Sequence, residues 1–206
     1  MNTVSFINNF KNRRALIVSE DFSAIGKLGE SLKRMGVSVE YIAPKNEEVD
    51  LVPFQPREKE DVIFLDGDLN TNINLPHCER RKIVLVPVIG MIGIEAPSRL
   101  DRLLSYGATS FIKKPIHVGT VFFNLYLAVN THNKFMRLHR EVERHNERRS
   151  MRKYILKAIL IVMEQYKVSD DAAYDLIRKR SMDAQISLEE YSKKIVCLHS
   201  QSEPIA

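Results

Sequence analysis

The sequence of 206 residues predicts an α/β domain with a doubly wound, five-stranded parallel sheet, followed by a long helix and a small three-helix bundle. One reason is that short apolar strands alternate with amphipathic helices in the first part of the chain. A second reason is that all eight glycines lie between Gly26 and Gly119, and seven of the eight prolines lie between Pro44 and Pro115. The chain therefore changes character near residue 119, and two modest domains are expected.

Five strands and two helices are expected in the first domain. The strands are Ala15–Val18, Val37–Ile42, Val62–Leu65, Ile83–Val86 and Ser110–Lys113, and the helices are Phe22–Met35 and Ser98–Tyr106. Strands joined through helices pair in parallel by right-handed crossovers, and the loops at their carboxyl ends form the functional site. Pro44, Pro53 and Pro56 exclude a continuous helix over residues 44–60.

Three amphipathic helices are expected between residues 154 and 196, where apolar side chains recur at helical spacing. The stripes are Ile155, Ala158, Ile159, Val162 and Met163, then Ala172, Ala173, Leu176 and Ile177, then Leu188, Tyr191, Ile195 and Val196. Ser169 and Ser187 are N-cap signals for the second and third helices. Such helices bury their stripes against one another, and Tyr174 is expected to close the core.

A long helix is expected between the two domains. A heptad frame runs from Val118 to Arg149, for about four and a half repeats. The dimerisation residues predicted from this frame are Val118, Val121, Leu125, Ala128, Phe135 and Val142. A homodimeric coiled coil is favoured because a lone helix would expose Phe135 and Val142. The alternative is that Val118–Val129 packs on the sheet of the first domain and continues as a solvated extension.

Composition narrows the classes of function. The net charge of +5 indicates an anionic partner, although only weakly. Cys78 and Cys197 do not have the spacing of a disulfide or a metal site, so a cytoplasmic protein is expected. The longest apolar run, Ile83–Ile94, is broken by Pro87 and by glycines, so no membrane span is expected. No Ser/His/Asp or Cys/His set and no Gly-rich phosphate loop can be argued from spacing, so neither enzymatic activity nor a metal or cofactor is expected.

The C-terminal helices carry a run of motifs in a fixed order. They are Val162-Met163-Glu164, Ala172-Ala173-Tyr174, Leu176-Ile177-Arg178 and Ser181-Met182-Asp183. This pattern resembles the ANTAR domain, the RNA-binding module of AmiR/NasR-type transcription antiterminators. The resemblance implies a three-helix RNA-binding domain, with a hairpin in a leader RNA as its partner.

Basic residues are concentrated on the same helices. Lysine and arginine contact phosphates without reading sequence, while unstacked loop bases stack on aromatic side chains. With the aromatic Tyr166, the RNA-binding candidates are Arg148, Arg149, Arg152, Lys153, Lys157, Lys167, Arg178, Lys179, Arg180, Lys193 and Lys194. For the charged residues, the alternative is a solvated helix face.

Two segments of the first domain resemble response-regulator receiver domains, which have a CheY- and flavodoxin-like fold. Val62-Ile63-Phe64-Leu65-Asp66 resembles their third strand, and Gly107-Ala108 with Phe111 to Pro115 resembles their last strand. The resemblance implies that Asp66 stands at the phosphoacceptor position. It also implies that Lys114 precedes Pro115 through a cis peptide bond.

Two positions depart from the receiver pattern, which has an acidic pair after strand one for magnesium and a serine or threonine after strand four. Ser19 and Glu20 stand at the acidic pair, with Asp21 next, and Pro87 stands at the predicted hydroxyl position. Magnesium requires octahedral oxygen ligation, so a lost acid weakens that site. A pseudo-receiver that is not regulated by phosphorylation is favoured, and a working phosphoacceptor at Asp66 is the alternative.

The expected organisation is an N-terminal arm (1–12), a receiver-like domain (13–117), a coiled-coil linker helix (118–149), an ANTAR domain (150–198) and a tail (199–206). The expected function is antitermination, in which a dimer binds leader-RNA hairpins, prevents terminator formation and so acts on the transcription machinery indirectly. The resemblance implies control by a ligand-sensing partner protein. The alternatives are a phosphorylation-dependent response regulator with the same output, and a protein-interaction adaptor that does not bind nucleic acid.

Overall fold

The computed structural model describes residues 6–44, 48–77 and 83–202. The chain divides into two compact units, Met1–Met136 and Arg137–Ala206. Cys78, the first five residues of the predicted arm and the last four residues of the predicted tail lie outside the described residues. Within the described ranges, no helix is both long enough and apolar enough to cross a membrane.

The first unit is built on five parallel strands. In chain order its elements are β1 (Arg14–Val18), α1 (Phe22–Arg34), β2 (Ser38–Ile42), β3 (Glu48–Asp50), β4 (Asp61–Asp66), β5 (Asn72–Asn74), β6 (Val88–Ile92), α2 (Pro97–Ser105), β7 (Ala108–Lys113) and the start of α3 (Val118–Tyr166). The strand order of the main sheet is β2-β1-β4-β6-β7, and β3 and β5 form a separate parallel pair. This arrangement confirms the predicted doubly wound sheet.

Alternation along the strands places a hydrophobic core on each face of the sheet. On β1, Ala15 and Ile17 contribute to one core, while Leu16 and Val18 contribute to the other. Successive side chains of a strand point to opposite faces, so a fully apolar strand requires helices on both sides. The first core is covered by α1 and the start of α3, and the second contains Leu103 of α2.

The segment between β2 and β4 contains no α-helix in its described part. A single 3₁₀ turn, Val52–Phe54, follows β3 and ends at Gln55, whose backbone is left-handed. This confirms the prediction from Pro44, Pro53 and Pro56, because proline removes a helix hydrogen bond and restricts the residue before it.

The fourth strand of the main sheet lies further along the chain than predicted. The prediction of a strand over Ile83–Val86 is wrong, since β6 is Val88–Ile92 and Val84 forms only an isolated antiparallel bridge with His77. The apolar run is longer than one strand, and periodicity does not determine where in such a run the strand begins. Gly90 of β6 is required by packing, because an added Cβ would lie 2.7 Å from the Leu103 side chain.

Helix α3 does not expose the predicted coiled-coil seam over its first turns. The prediction is wrong for Val121, Leu125 and Ala128, which are fully buried in the core between α3 and the sheet. The heptad frame coincides there with the face that covers the sheet, as in the alternative interpretation. Val118, Phe135 and Val142 are about half exposed (49%, 52% and 55%).

The second unit contains the end of α3 with α4 (Asp170–Asp183) and α5 (Leu188–Ser202). Its core consists of Ala158, Val162, Ala173 and Ile177, with partly buried side chains of α5 packed against it. Ser169 accepts from the Ala172 N–H at 3.4 Å, and Ser187 accepts from the Glu190 N–H at 3.1 Å, so both predicted caps are confirmed. The expectation that Tyr174 closes the core is wrong, because this residue is 38% exposed.

Candidate functional site

Asp66 lies at the carboxyl end of β4 and is almost fully buried, with 4% of its surface exposed. The Ser19 hydroxyl donates to Oδ2 of Asp66 at 2.6 Å, and the Asp68 N–H donates to Oδ1 at 3.0 Å. The Lys114 ammonium lies 2.7 Å from both carboxylate oxygens. Both oxygens of Asp66 are therefore already engaged within the protein.

Lys114 connects three loops through its ammonium group. Besides Asp66, its Nζ lies 3.0 Å from Asp68 and 3.6 Å from Asp21. Burial acts to lower the pKa of Lys114, but hydrogen bonds and charge attraction from Asp66 and Asp68 together outweigh burial and raise the pKa. Lys114 therefore stays charged, and the bond to Pro115 is cis, as the resemblance implied.

Asp68 is a functional candidate that the sequence reasoning missed. Its carboxylate accepts from the Gly93 N–H at 2.8 Å and the Ile94 N–H at 3.3 Å, and it pairs with Arg99 of α2. Burial acts to raise the pKa of Asp68, but the hydrogen bonds from Lys114, Ile94 and Gly93 lower it overall. The signal in the sequence was an acid two residues after the strand that ends at Asp66.

Gly93 permits the close approach of Asp68 to the loop after β6. A Cβ at Gly93 would lie 2.5 Å from Oδ2 of Asp68, a distance that no side chain tolerates without a shift. The loops that follow β4 and β6 are therefore joined directly through the Asp68 carboxylate.

The position predicted for Pro87 is wrong. Pro87 precedes β6 and lies at its amino end, where its carbonyl accepts from the Ile63 N–H at 2.9 Å. At the carboxyl end, Asp66 is in register with Met91. The next residues are Ile92, Gly93 and Ile94, none of which carries a hydroxyl group. These residues, and not the predicted Pro87, stand where a receiver domain has its serine or threonine.

The acidic residues after β1 have different roles. Asp21 is the N-cap of α1 and accepts from the Ala24 N–H at 3.0 Å, while Glu20 is exposed. Among the described residues, no group of three or more histidine, cysteine or acidic side chains is arranged to hold a metal ion. Magnesium binds several oxygen ligands, and the carboxylates of Asp66 and Asp68 already contact Lys114. A magnesium ion at this edge would therefore compete with the Lys114 ammonium for the same oxygens.

The candidates for nucleic-acid binding lie in the second unit. All twelve residues, Arg148, Arg149, Arg152, Lys153, Lys157, Tyr166, Lys167, Arg178, Lys179, Arg180, Lys193 and Lys194, are exposed. On α3, Arg149, Lys153 and Lys157 follow one another at four-residue spacing and so lie along one face. Tyr166 and Arg180 contact each other directly.

The fold and the carboxyl-edge residues define a receiver-like domain of the response-regulator class, followed by a basic helical unit. Residues 14–129 match the family described as AmiR, N-terminal, and residues 143–196 match the ANTAR domain. The first match covers more than half of the chain. The chain therefore belongs to the AmiR N-terminal family. Together the two domains place the protein among antitermination-type regulators with a receiver-like domain.

Solved structures of response regulators are among the chains to which this protein is similar. The chemotaxis response regulator CheY4 of Vibrio cholerae is 20% identical, with 55% of this chain and 95% of that chain covered and a TM-score of 0.39. Full-length FixJ from B. japonicum is 12% identical, with 91% of this chain and 98% of that chain covered and a TM-score of 0.45. A comparison with curated proteins found no match.

Replacing Lys114 with methionine is expected to lower the free energy of unfolding by about 3 kcal/mol, because it leaves a buried carboxylate without its cation. Lys113 provides a matched control, since its side chain is 70% exposed and pairs with the exposed Glu95. Lys113→Met should cost no more than about 1 kcal/mol. Urea denaturation measures both, and equal costs would contradict a structural role for Lys114.

Proposed function

We propose that this protein is a dimeric, RNA-binding antitermination regulator that binds leader-RNA hairpins and thereby prevents terminator formation. The observation that carries the proposal is the ANTAR match over 143–196, in a unit whose basic candidates are all exposed. Within the described residues, no ion pair joins these basic side chains to an acid, so their charges are available to phosphates. The match supplies the ligand class, and the exposed charge supplies the physical means of binding.

We further propose that a ligand-sensing partner protein controls the receiver-like domain, without phosphorylation of Asp66. Support comes from the burial of Asp66 and from its bonds to Ser19, the Asp68 N–H and Lys114. An incoming phosphoryl group would have to displace these bonds without help from magnesium or a hydroxyl at the end of β6. Phosphorylation-dependent control is the second candidate, because Asp66 and Lys114 stand where a receiver has its phosphoacceptor and lysine.

The proposed dimer interface lies on the part of α3 within the second unit. Leu138, Val142, Leu156 and Leu160 are exposed by 47%, 55%, 65% and 64%. Leu156 follows Leu138 by about five turns at 3.6 residues per turn, and each is followed by an apolar residue four positions later. All four therefore lie on one face, as two apolar pairs separated by the polar residues His145 and Arg149. A second copy of the same helix presents a complementary stripe, as in a coiled coil.

Binding of RNA is tested with the full-length protein and a pool of RNA hairpins with randomised loops, compared with duplex DNA. Replacing Arg178 and Lys179 by alanine should preserve helix content and remove two phosphate contacts, which lowers the salt slope of the binding constant by about 1.4 on single-stranded loops.

Lys27→Ala with Lys33→Ala is the control, because it removes the same charge from exposed positions on α1. This variant should bind as the unchanged protein does. If no hairpin is enriched over duplex DNA, RNA binding is rejected and the protein-interaction adaptor becomes the favoured function.

Acetyl phosphate with magnesium is expected to leave Asp66 unlabelled, because both of its oxygens are engaged and the carboxylate is buried. A working receiver domain serves as the positive control for labelling. An acid-labile label that disappears in Asp66→Asn would overturn this expectation and establish the response-regulator alternative.

Charge on the proposed dimer stripe should separate the two copies. The double variant Leu138→Asp, Val142→Asp is expected to be monomeric by light scattering, because two desolvated carboxylates per helix disfavour the interface. Ser150→Asp adds an acid on another face of the same exposed helix and should leave the dimer intact. A monomeric unchanged protein, or a dimeric double variant, would rule out this stripe as the interface.

A further inference from the structure

Tyr166 and Arg180 form a pair across the turn between α3 and α4. The guanidinium carbon of Arg180 lies 5.4 Å from the centroid of the Tyr166 ring. Both Nη atoms also approach the Tyr166 hydroxyl, at 3.4 Å. Tyr166 is the last residue of α3, and Arg180 lies in the last turn of α4, so the contact joins two helices.

The electrostatics of Arg180 reflect the same contact. Tyr166, and to a smaller degree Tyr191 of α5, raise the pKa of the Arg180 guanidinium. An exposed arginine normally loses rotamer freedom when it binds a ligand. Arg180 is already held by the Tyr166 hydroxyl, so less of that cost remains at binding.

The contact holds the guanidinium of Arg180 at the hydroxyl end of Tyr166. Arg180 is exposed, and Tyr166 is 49% exposed. Contact with a phosphate requires only positive charge, and a lysine would supply it. A planar guanidinium held in place by a hydrogen-bond partner additionally offers a flat surface, on which unstacked RNA bases stack.

We propose that Tyr166 and Arg180 together form a stacking platform for one unpaired base of the RNA loop, in which the guanidinium of Arg180, held at the Tyr166 hydroxyl, offers the flat surface. The proposal rests on the proposed RNA-binding function and specifies how one base is held. Arg178 and Lys179, which precede Arg180 on α4 and are exposed, supply neighbouring phosphate contacts. The platform thus separates recognition of a base from attraction to the backbone.

The test uses the full-length protein and the tightest-binding hairpin of the randomised pool, with 2-aminopurine placed at each loop position in turn. Stacking quenches the fluorescence of this base analogue, so one position should be quenched when protein binds. Arg180→Lys keeps the charge and loses the plane, and it should weaken binding about tenfold and abolish that quenching, with the salt slope unchanged.

Two further variants distinguish the contribution of the Tyr166 ring from that of its hydroxyl. Tyr166→Leu removes the ring and should reproduce the effects of Arg180→Lys, while Tyr166→Phe keeps the ring and should retain part of the quenching. Arg34→Lys makes the same exchange at an exposed arginine of α1 in the first unit, and as the matched control it should leave the quenching of that base unchanged. Circular dichroism checks that each variant retains its helix content.

The outcomes separate this proposal from the one on which it rests. Unchanged affinity and quenching in Arg180→Lys would overturn the platform while leaving RNA binding in place. A wild-type protein that binds no hairpin of the pool would reject RNA binding and the platform together.

Discussion

The interaction on which the first unit depends is the contact of one buried ammonium with carboxylates from different loops. Lys114 is held 2.7 Å from Asp66, 3.0 Å from Asp68 and 3.6 Å from Asp21. Asp68 in turn binds the backbone of the loop after β6, and Asp21 caps α1. Lys114 and Arg99 therefore offset most of the negative charge at the carboxyl ends of β1 and β4. Removal of Lys114 would leave the buried carboxylate of Asp66 without its cation.

This balance bears on how a signal can reach the domain. A phosphoryl group attaches to one oxygen of Asp66 and competes there with Ser19 at Oδ2 or the Asp68 N–H at Oδ1, and with Lys114 at either oxygen. Contact with another molecule on the surface requires no such exchange. The chain thus retains the receiver fold, while the carboxylate of Asp66 is already bonded within the protein. This arrangement favours control by a partner, as proposed above. The same residues serve as structural members, because a buried ion pair fixes the relative positions of the loops that supply it.

Much of the fold follows from local patterns in the sequence, and the errors have physical causes. Short apolar runs located β1 and β4, and serine caps located the starts of α4 and α5. The position of β6 was missed because its apolar run exceeds the length of a strand. The heptad pattern predicts a dimer seam at Leu125, but the same spacing also suits a helix face that covers a sheet. Asp68 was missed because its partners come from loops that are distant in sequence.

The second unit illustrates a different limit of sequence reasoning. Tyr166 and Arg180 could be named as separate candidates, but their pairing spans 14 residues and depends on the turn between α3 and α4. That turn passes through Lys167, whose left-handed backbone (φ 52°) reverses the chain before Ser169 caps α4. Basic residues that lie along a helix attract an anion without selecting its orientation, since each side chain remains flexible. An arginine that hydrogen-bonds a tyrosine of another helix has fewer orientations before binding. The geometry of the turn therefore decides whether positive charge on α4 acts only by attraction or also positions a base.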